Sequence, residues 1–106
     1  MIVTTNLEIA GKQIVRTVGL VKGNTIRARH LGRDIAALFR NIVGGEVKEY
    51  TKLIAEAREQ AIDRMVDDAK AKGANAVVMV RFTTSEIMKG AAELLAYGTA
   101  VVVEDA

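Results

Sequence analysis

One helix with a single apolar stripe is followed by two strands that are apolar on both faces, and that mismatch limits what this chain can fold into. The helical pattern runs from Glu46 to Lys72; the strands lie in GANAVVMVRFTTSE and AELLAYGTAVVVE. Alternation along Val77–Phe82 sets Val78, Val80 and Phe82 against Val77, Met79 and Arg81. Along Leu94–Val103 it sets Leu95, Tyr97, Thr99, Val101 and Val103 against Leu94, Ala96, Ala100 and Val102. The connection between these strands is short, so they pair antiparallel. A single helical layer covers one sheet face. The other is left for a neighbouring subunit, at ~25 cal/mol per Å² of apolar surface withdrawn from water.

Upstream, IVTT reads as a short strand closed by turn signals at Asn6 and Gly11. KQIVRTVGLVKG reads as a longer strand ending in a Gly23-Asn24 turn, and TIRAR as a third extended piece. Leu31, Ile35, Leu38 and Ile42 recur at helical spacing, which predicts a short amphipathic helix over Leu31–Val43, broken by Gly44-Gly45. In the long helix Glu46 and Glu49 occupy the first turn and Lys70 and Lys72 the last, the favourable sense for the dipole. Gly73 is the expected left-handed residue that ends it. No segment repeats and no linker interrupts the chain, so residues 1–106 read as one domain.

Composition narrows the function classes. The chain has no cysteine, which excludes disulfides, a thiolate nucleophile and a thiolate metal site. A net charge of +2 is too small to argue for nucleic acid or acidic lipid, and two Tyr and two Phe offer little for base stacking. The start, MIVTTNLEIAGK, lacks the basic and apolar regions of a signal peptide, and no stretch approaches the ~20 apolar residues of a membrane span. The expectation is a cytoplasmic protein with no membrane partner.

With these segments laid out, the chain resembles the YbjQ-like family. The resemblance is carried by GRDI at Gly32–Ile35, NIVGGE at Asn41–Glu46, EYT at Glu49–Thr51, Ala57-Arg58 and Arg64-Met65. It continues through GANAVV at Gly73–Val78, Arg81-Phe82 and AYGTAV at Ala96–Val101, and so covers nearly the whole chain in order. It implies a two-layer α+β, dodecin-like subunit: an antiparallel sheet with one long and one short helix on one face. It also implies assembly with itself as a ring-shaped homopentamer. The family is labelled "putative heavy-metal-binding", and no activity comes with the resemblance.

The candidate sites divide by chemistry. A soft metal wants thiolates or imidazoles, and His30 is the only histidine; a fivefold ring is the one route to a nitrogen-rich site, against a surface residue in the basic loop RARHLGR. Asp63 and Asp67, one turn apart, with Asp68, could hold a hard cation but read first as solvated helix surface. Arg58 falls near the centre of the stripe Val47, Ile54, Ala61, Met65 and Ala69. A guanidinium there snorkels out, pairs across subunits with Glu93 or Glu86, or forms an anion pocket with Arg81. Arg58, Arg81 and Glu93 are therefore the candidate ligand-binding residues. Gly44-Gly45 fails the spacing of a phosphate loop and is followed by Glu46 and Glu49, so it reads as a helix boundary. The basic run Arg27, Arg29, His30, Arg33 and Arg40 is interrupted by Asp34 and has no nucleic-acid module with it. Ser85 beside Glu86 has no nearby histidine base, and Tyr97 sits in an apolar strand. The residues thus point to a non-catalytic oligomer holding a small ligand such as an anion. Metal binding, or an enzyme with a site shared between subunits, stays open beside it.

Overall fold

A computed structural model describes residues 1–27, 48–88 and 91–106. Five elements follow in order: β1 (Ile2–Val3), β2 (Lys12–Arg27), α1 (Lys48–Ala71), β3 (Ala76–Met88) and β4 (Ala91–Asp105). The strands form one sheet in the order β1-β3-β4-β2, with α1 against one face. β2 and β3 run antiparallel to β4, but β1 runs parallel to β3, pairing Ile2 with Ala76 and Val3 with Val77. The sheet is therefore mixed, where a wholly antiparallel one was expected. Most of the chain, including β2 and α1, separates β1 from β3, so no hairpin constrains their relative direction. The expected helix over Leu31–Val43 and the Gly44-Gly45 break lie outside the described residues. No described helix is long and apolar enough to cross a membrane.

β2 runs through the expected turn. Gly23 and Asn24 pair with Ala96 and Leu95 of β4, and the start of TIRAR simply continues the strand to Arg27. The glycine serves a different need: a Cβ on Gly23 would collide with the carbonyl oxygen of Ala61 and the amide nitrogen of Met65. It is where the α1 backbone crosses β2. Small residues on the helix match it: Ala57, Ala61 and Ala69 are at most 1% exposed, and the larger Met65 is fully buried in the same row.

That buried row advances four residues at a time, so it drifts about 40° around the helix per step and crosses the axis obliquely. A stripe drawn parallel to the axis places Arg58 at its centre; the oblique row leaves Arg58 exposed. The helix ends as its sequence suggests. Gly73 takes φ +81°, Gly73 N–H donates to Lys70 O at 3.0 Å, and Ala74 N–H donates to Ala69 O at 3.0 Å.

The core on the helix side joins Val21, Ala61, Met65, Ala69, Val77, Val80, Ala96 and Ala100. A smaller cluster on the outer face joins Ala76, Val78, Val101 and Val103, with Ile9 of the N-terminal segment packed over it. In β4 the two faces follow the expected alternation. In β3 they do not. The register jumps between Val78 and Arg81, and Met79 takes the left-handed φ of +56°. This bulge sets Val77 and Val80 on the helix side and Val78 on the outer one, splitting the expected set of Val78, Val80 and Phe82. Gly98 lies opposite; a Cβ there would come 2.8 Å from Val77 Cγ1 and 3.0 Å from Val78 O.

At the end of the β2–β4 ladder, Lys12 Nζ donates to Asp105 Oδ1, and Ala106 N–H donates to Gly11 O at 3.0 Å. The Lys12 ammonium, by hydrogen bond and then by charge, holds the Asp105 carboxyl below the ordinary carboxylate range. A carboxyl lowered by folding stabilises the fold above its unfolded value, and that contribution goes as pH falls through the lower, folded value. Both groups are exposed, so the effect on global stability is small. A carbon-detected NMR titration of Asp105 should show a midpoint below that of an ordinary aspartate, returning to it in Lys12→Ala.

Candidate functional site

Directly opposed residues in neighbouring strands lie on the same face. On β2 and β4 the pairs Leu20 with Thr99, Lys22 with Tyr97, Asn24 with Leu95 and Ile26 with Glu93 share the face away from α1. From β3, Arg81 opposite Tyr97, Thr83 opposite Leu95 and Ser85 opposite Glu93 join them. Ile9 and the N-terminal segment cover this face at the Val101–Val103 end. Farther along it is bare: Leu20 is 64% and Ile26 55% exposed, and Leu95, Tyr97 and Thr99 between the outer strands are half-buried. An aromatic and three large aliphatic side chains thus form an uncovered strip, with Lys22, Arg81 and Glu93 interspersed.

Arg81 and Glu93 both belong to this face. Four register positions separate them, roughly 13 Å along the strand. Arg81 Nη1 donates to Thr5 O at 3.0 Å and to Val80 O at 2.8 Å. Both acceptors are neutral, so the guanidinium pins the N-terminal segment to β3 while its charge has no carboxylate partner among the described residues. Glu93 Oε2 accepts from Asn24 Nδ2 at 3.1 Å. Arg58 lies on α1, in the other layer, and has no ion-pair partner among the described residues. Within one chain the sheet separates Arg58 from Arg81 and Glu93. A pocket or ion pair uniting them takes two chains.

His30 lies outside the described residues. Among those described, no three His, Asp or Glu side chains converge. With no cysteine in the chain, the described part of one subunit does not hold the donor set of a heavy-metal site. A depression of about 940 Å³ is lined by Asn6–Ile14 and Val103, and none of Arg58, Arg81 or Glu93 borders it.

Sequence reasoning passed over Asn75. Its amide Nδ2 donates to Val103 O at 2.9 Å, and Val103 N–H donates to its Oδ1 at 2.8 Å. The side chain imitates the backbone of one more β3 residue and extends the ladder past the strand's start. The motif GANAVV held the signal: an asparagine between a helix-ending glycine and a strand. Asn75→Ala leaves both Val103 groups without that partner, and should cost about 1–2 kcal/mol in urea unfolding with the m value unchanged.

Comparison with known proteins places the chain among relatives of similar length. A family described as "Putative heavy-metal-binding" matches residues 1–104. A UPF0145 protein of Dehalococcoides mccartyi strain BAV1 is 58% identical over 104 residues, spanning 98% of this chain and 100% of its own. One from Clostridioides difficile strain 630 is 55% identical over 105 residues, spanning 99% and 94%. One from Methanosarcina acetivorans is 58% identical over 103 residues, spanning 97% of each. A crystal structure of a DUF74-family protein of unknown function from Pediococcus pentosaceus superposes with a TM-score of 0.65 over 98% of both chains. At 13% identity, that likeness speaks for the fold alone.

Proposed function

Because the chain belongs to the YbjQ-like family, we propose that it is a non-catalytic subunit of a homo-oligomer, a homopentamer, that holds a small anionic ligand between subunits. The observation that carries this reading is the bare strip of Leu20, Ile26, Leu95 and Tyr97 on the outer face. The N-terminal segment covers one end of that face, and a second chain covers the rest. Burying such a strip favours association by ~25 cal/mol per Å² of apolar surface. Arg81 supports the anionic ligand: it borders the strip and carries a charge its neutral acceptors leave unmatched. Laying two chains together is also what can bring Arg58 of one near Arg81 or Glu93 of the other.

The family's description favours a second reading, in which the oligomer binds a metal. Its donors then come from several chains, with copies of His30 as the nitrogen source.

Native mass spectrometry of protein purified without chelator, followed by denaturing release, separates the two. A pentamer carrying an anionic metabolite supports the first. A pentamer with stoichiometric metal, lost in His30→Ala, supports the second in its place. A pentamer carrying neither contradicts both ligand assignments.

A further inference from the structure

The outer sheet face carries an ordered row of charge for which its apolar strip has no need. Lys22 of β2 stands directly opposite Tyr97 of β4, and Arg81 of β3 stands opposite the same Tyr97 from the other side. Directly opposed residues share a face, so the three form one line across the sheet: cation, phenol, cation. At the usual spacing between strands, the Cα atoms of Lys22 and Arg81 lie roughly 10 Å apart.

Each member of the row has binding capacity left. Lys22 donates its backbone N–H to Asp68, but no described residue takes its ammonium. No described residue bonds the Tyr97 hydroxyl either. Arg81 commits Nη1 to two neutral carbonyl oxygens, which leaves Nε, Nη2 and the whole positive charge. On the bare part of this face the one carboxylate among the described residues is Glu93. It lies four residues from Tyr97 along β4, roughly 13 Å, and accepts from Asn24.

Direction decides what the row can hold. The bond from Arg81 to Thr5 O draws its guanidinium toward the N-terminal segment, on the side of β3 away from β4 and Lys22. The two cations therefore do not close on one small ion. They stand at opposite ends of an apolar floor made by the half-buried Tyr97 ring, with half-buried Leu95 two residues along β4. A flat ring stacks on such a floor, and anionic groups at its ends meet an ammonium on one side and a guanidinium on the other.

We propose that the row Lys22–Tyr97–Arg81 binds an elongated aromatic dianion, a flat ring system with a carboxylate or phosphate at each end. The ring lies over Tyr97 and Leu95, one anionic end meets Lys22, and the other meets the free N–H groups of Arg81. The site rests on the anion-holding oligomer proposed above, in which a second chain closes this open floor; it adds Lys22, Tyr97 and the shape of the ligand. A small oxyanion satisfies one end only. An aliphatic dianion leaves the ring uncovered and loses more chain freedom in spanning it.

Terephthalate, a benzene ring with carboxylates at opposite ends, is the probe. Benzoate lacks one end and adipate lacks the ring. NMR titration of the assembled wild type should give a Kd for terephthalate at least ~10-fold below those for benzoate and adipate. Lys22→Met keeps the length of the side chain without its charge, and should bring terephthalate to within about twofold of benzoate. Tyr97→Leu should weaken terephthalate about 10-fold and leave adipate unchanged. Native mass spectra check that each variant assembles as the wild type does; Lys22→Gln and Tyr97→Met take the place of a variant that does not. Adipate bound as tightly as terephthalate would falsify the place of the ring on Tyr97. Benzoate bound as tightly, or Lys22→Met without effect, overturns the two-ended site. In each of these cases an anion is still bound, and the function proposed above stands. Assembled wild type that binds none of the three, nor inorganic phosphate, overturns this site and the anionic ligand together.

Discussion

Gly23→Ala should lower the melting temperature by about 10 °C or more, a loss of about 2–3 kcal/mol, and Gly23→Val should leave little folded protein. The added Cβ meets backbone atoms, Ala61 O and Met65 N, rather than the end of a mobile side chain. Relief comes only by lifting α1 from β2, which loosens the packing of Ala61, Met65 and Ala69 against Val21, all fully buried. Gly11→Ala is the useful contrast. Nothing lies within 4 Å of a Cβ there, and only the φ of +76° opposes it, so the cost should be about 1 kcal/mol. Thermal unfolding followed by circular dichroism compares the two. Equal, small losses at both positions would mean that α1 does not cross β2 at Gly23.

Leu20→Glu should break the oligomer without harming the subunit. Leu20 is 64% exposed in the single chain, so glutamate there costs the isolated fold little. In the assembly the same carboxylate is carried against apolar side chains, and an unpaired charge removed from water is expensive. Association should weaken by about 100-fold or more, equivalent to about 3 kcal/mol, with the melting temperature of the separated subunit nearly unchanged. Size-exclusion chromatography with light scattering reads the mass directly. A variant that elutes with the same mass as the wild type would place the subunit contact elsewhere.

How far the sequence carried the structure is clearest in single residues. The faces of β4 were legible because its alternation from Leu94 to Val103 is unbroken and both faces pack. β3 looked equally regular, yet a methionine in the left-handed region reverses its phase, and nothing about Met79 announces that conformation. Gly23-Asn24 has the composition of a turn. The same glycine permits a close helix crossing, and choosing between the two requires knowing where α1 lies.

Arg58 shows a different failure. A helical wheel assumes that the buried stripe follows the axis, whereas the contact follows an oblique row of residues four apart. An apolar outer face without helix cover was legible, since too few helices were available to cover two apolar faces. The side-chain bonds that tie α1 to β2 and extend β3 were not. Arg64 and Asp68 look like any charged helix surface until Arg64 Nη1 is seen to donate to Asn24 O and Lys22 N–H to Asp68 Oδ2, and Asn75 looks like a loop residue until its amide meets Val103.

The central claim, that the outer sheet face is a contact between copies of this chain, is tested most directly by sedimentation equilibrium of the wild type over a wide concentration range. The account predicts one dominant species at five times the 11.4 kDa mass of the chain. A protein that stays at 11.4 kDa at every concentration would contradict it, and would leave the bare strip of Leu20, Ile26, Leu95 and Tyr97 facing water.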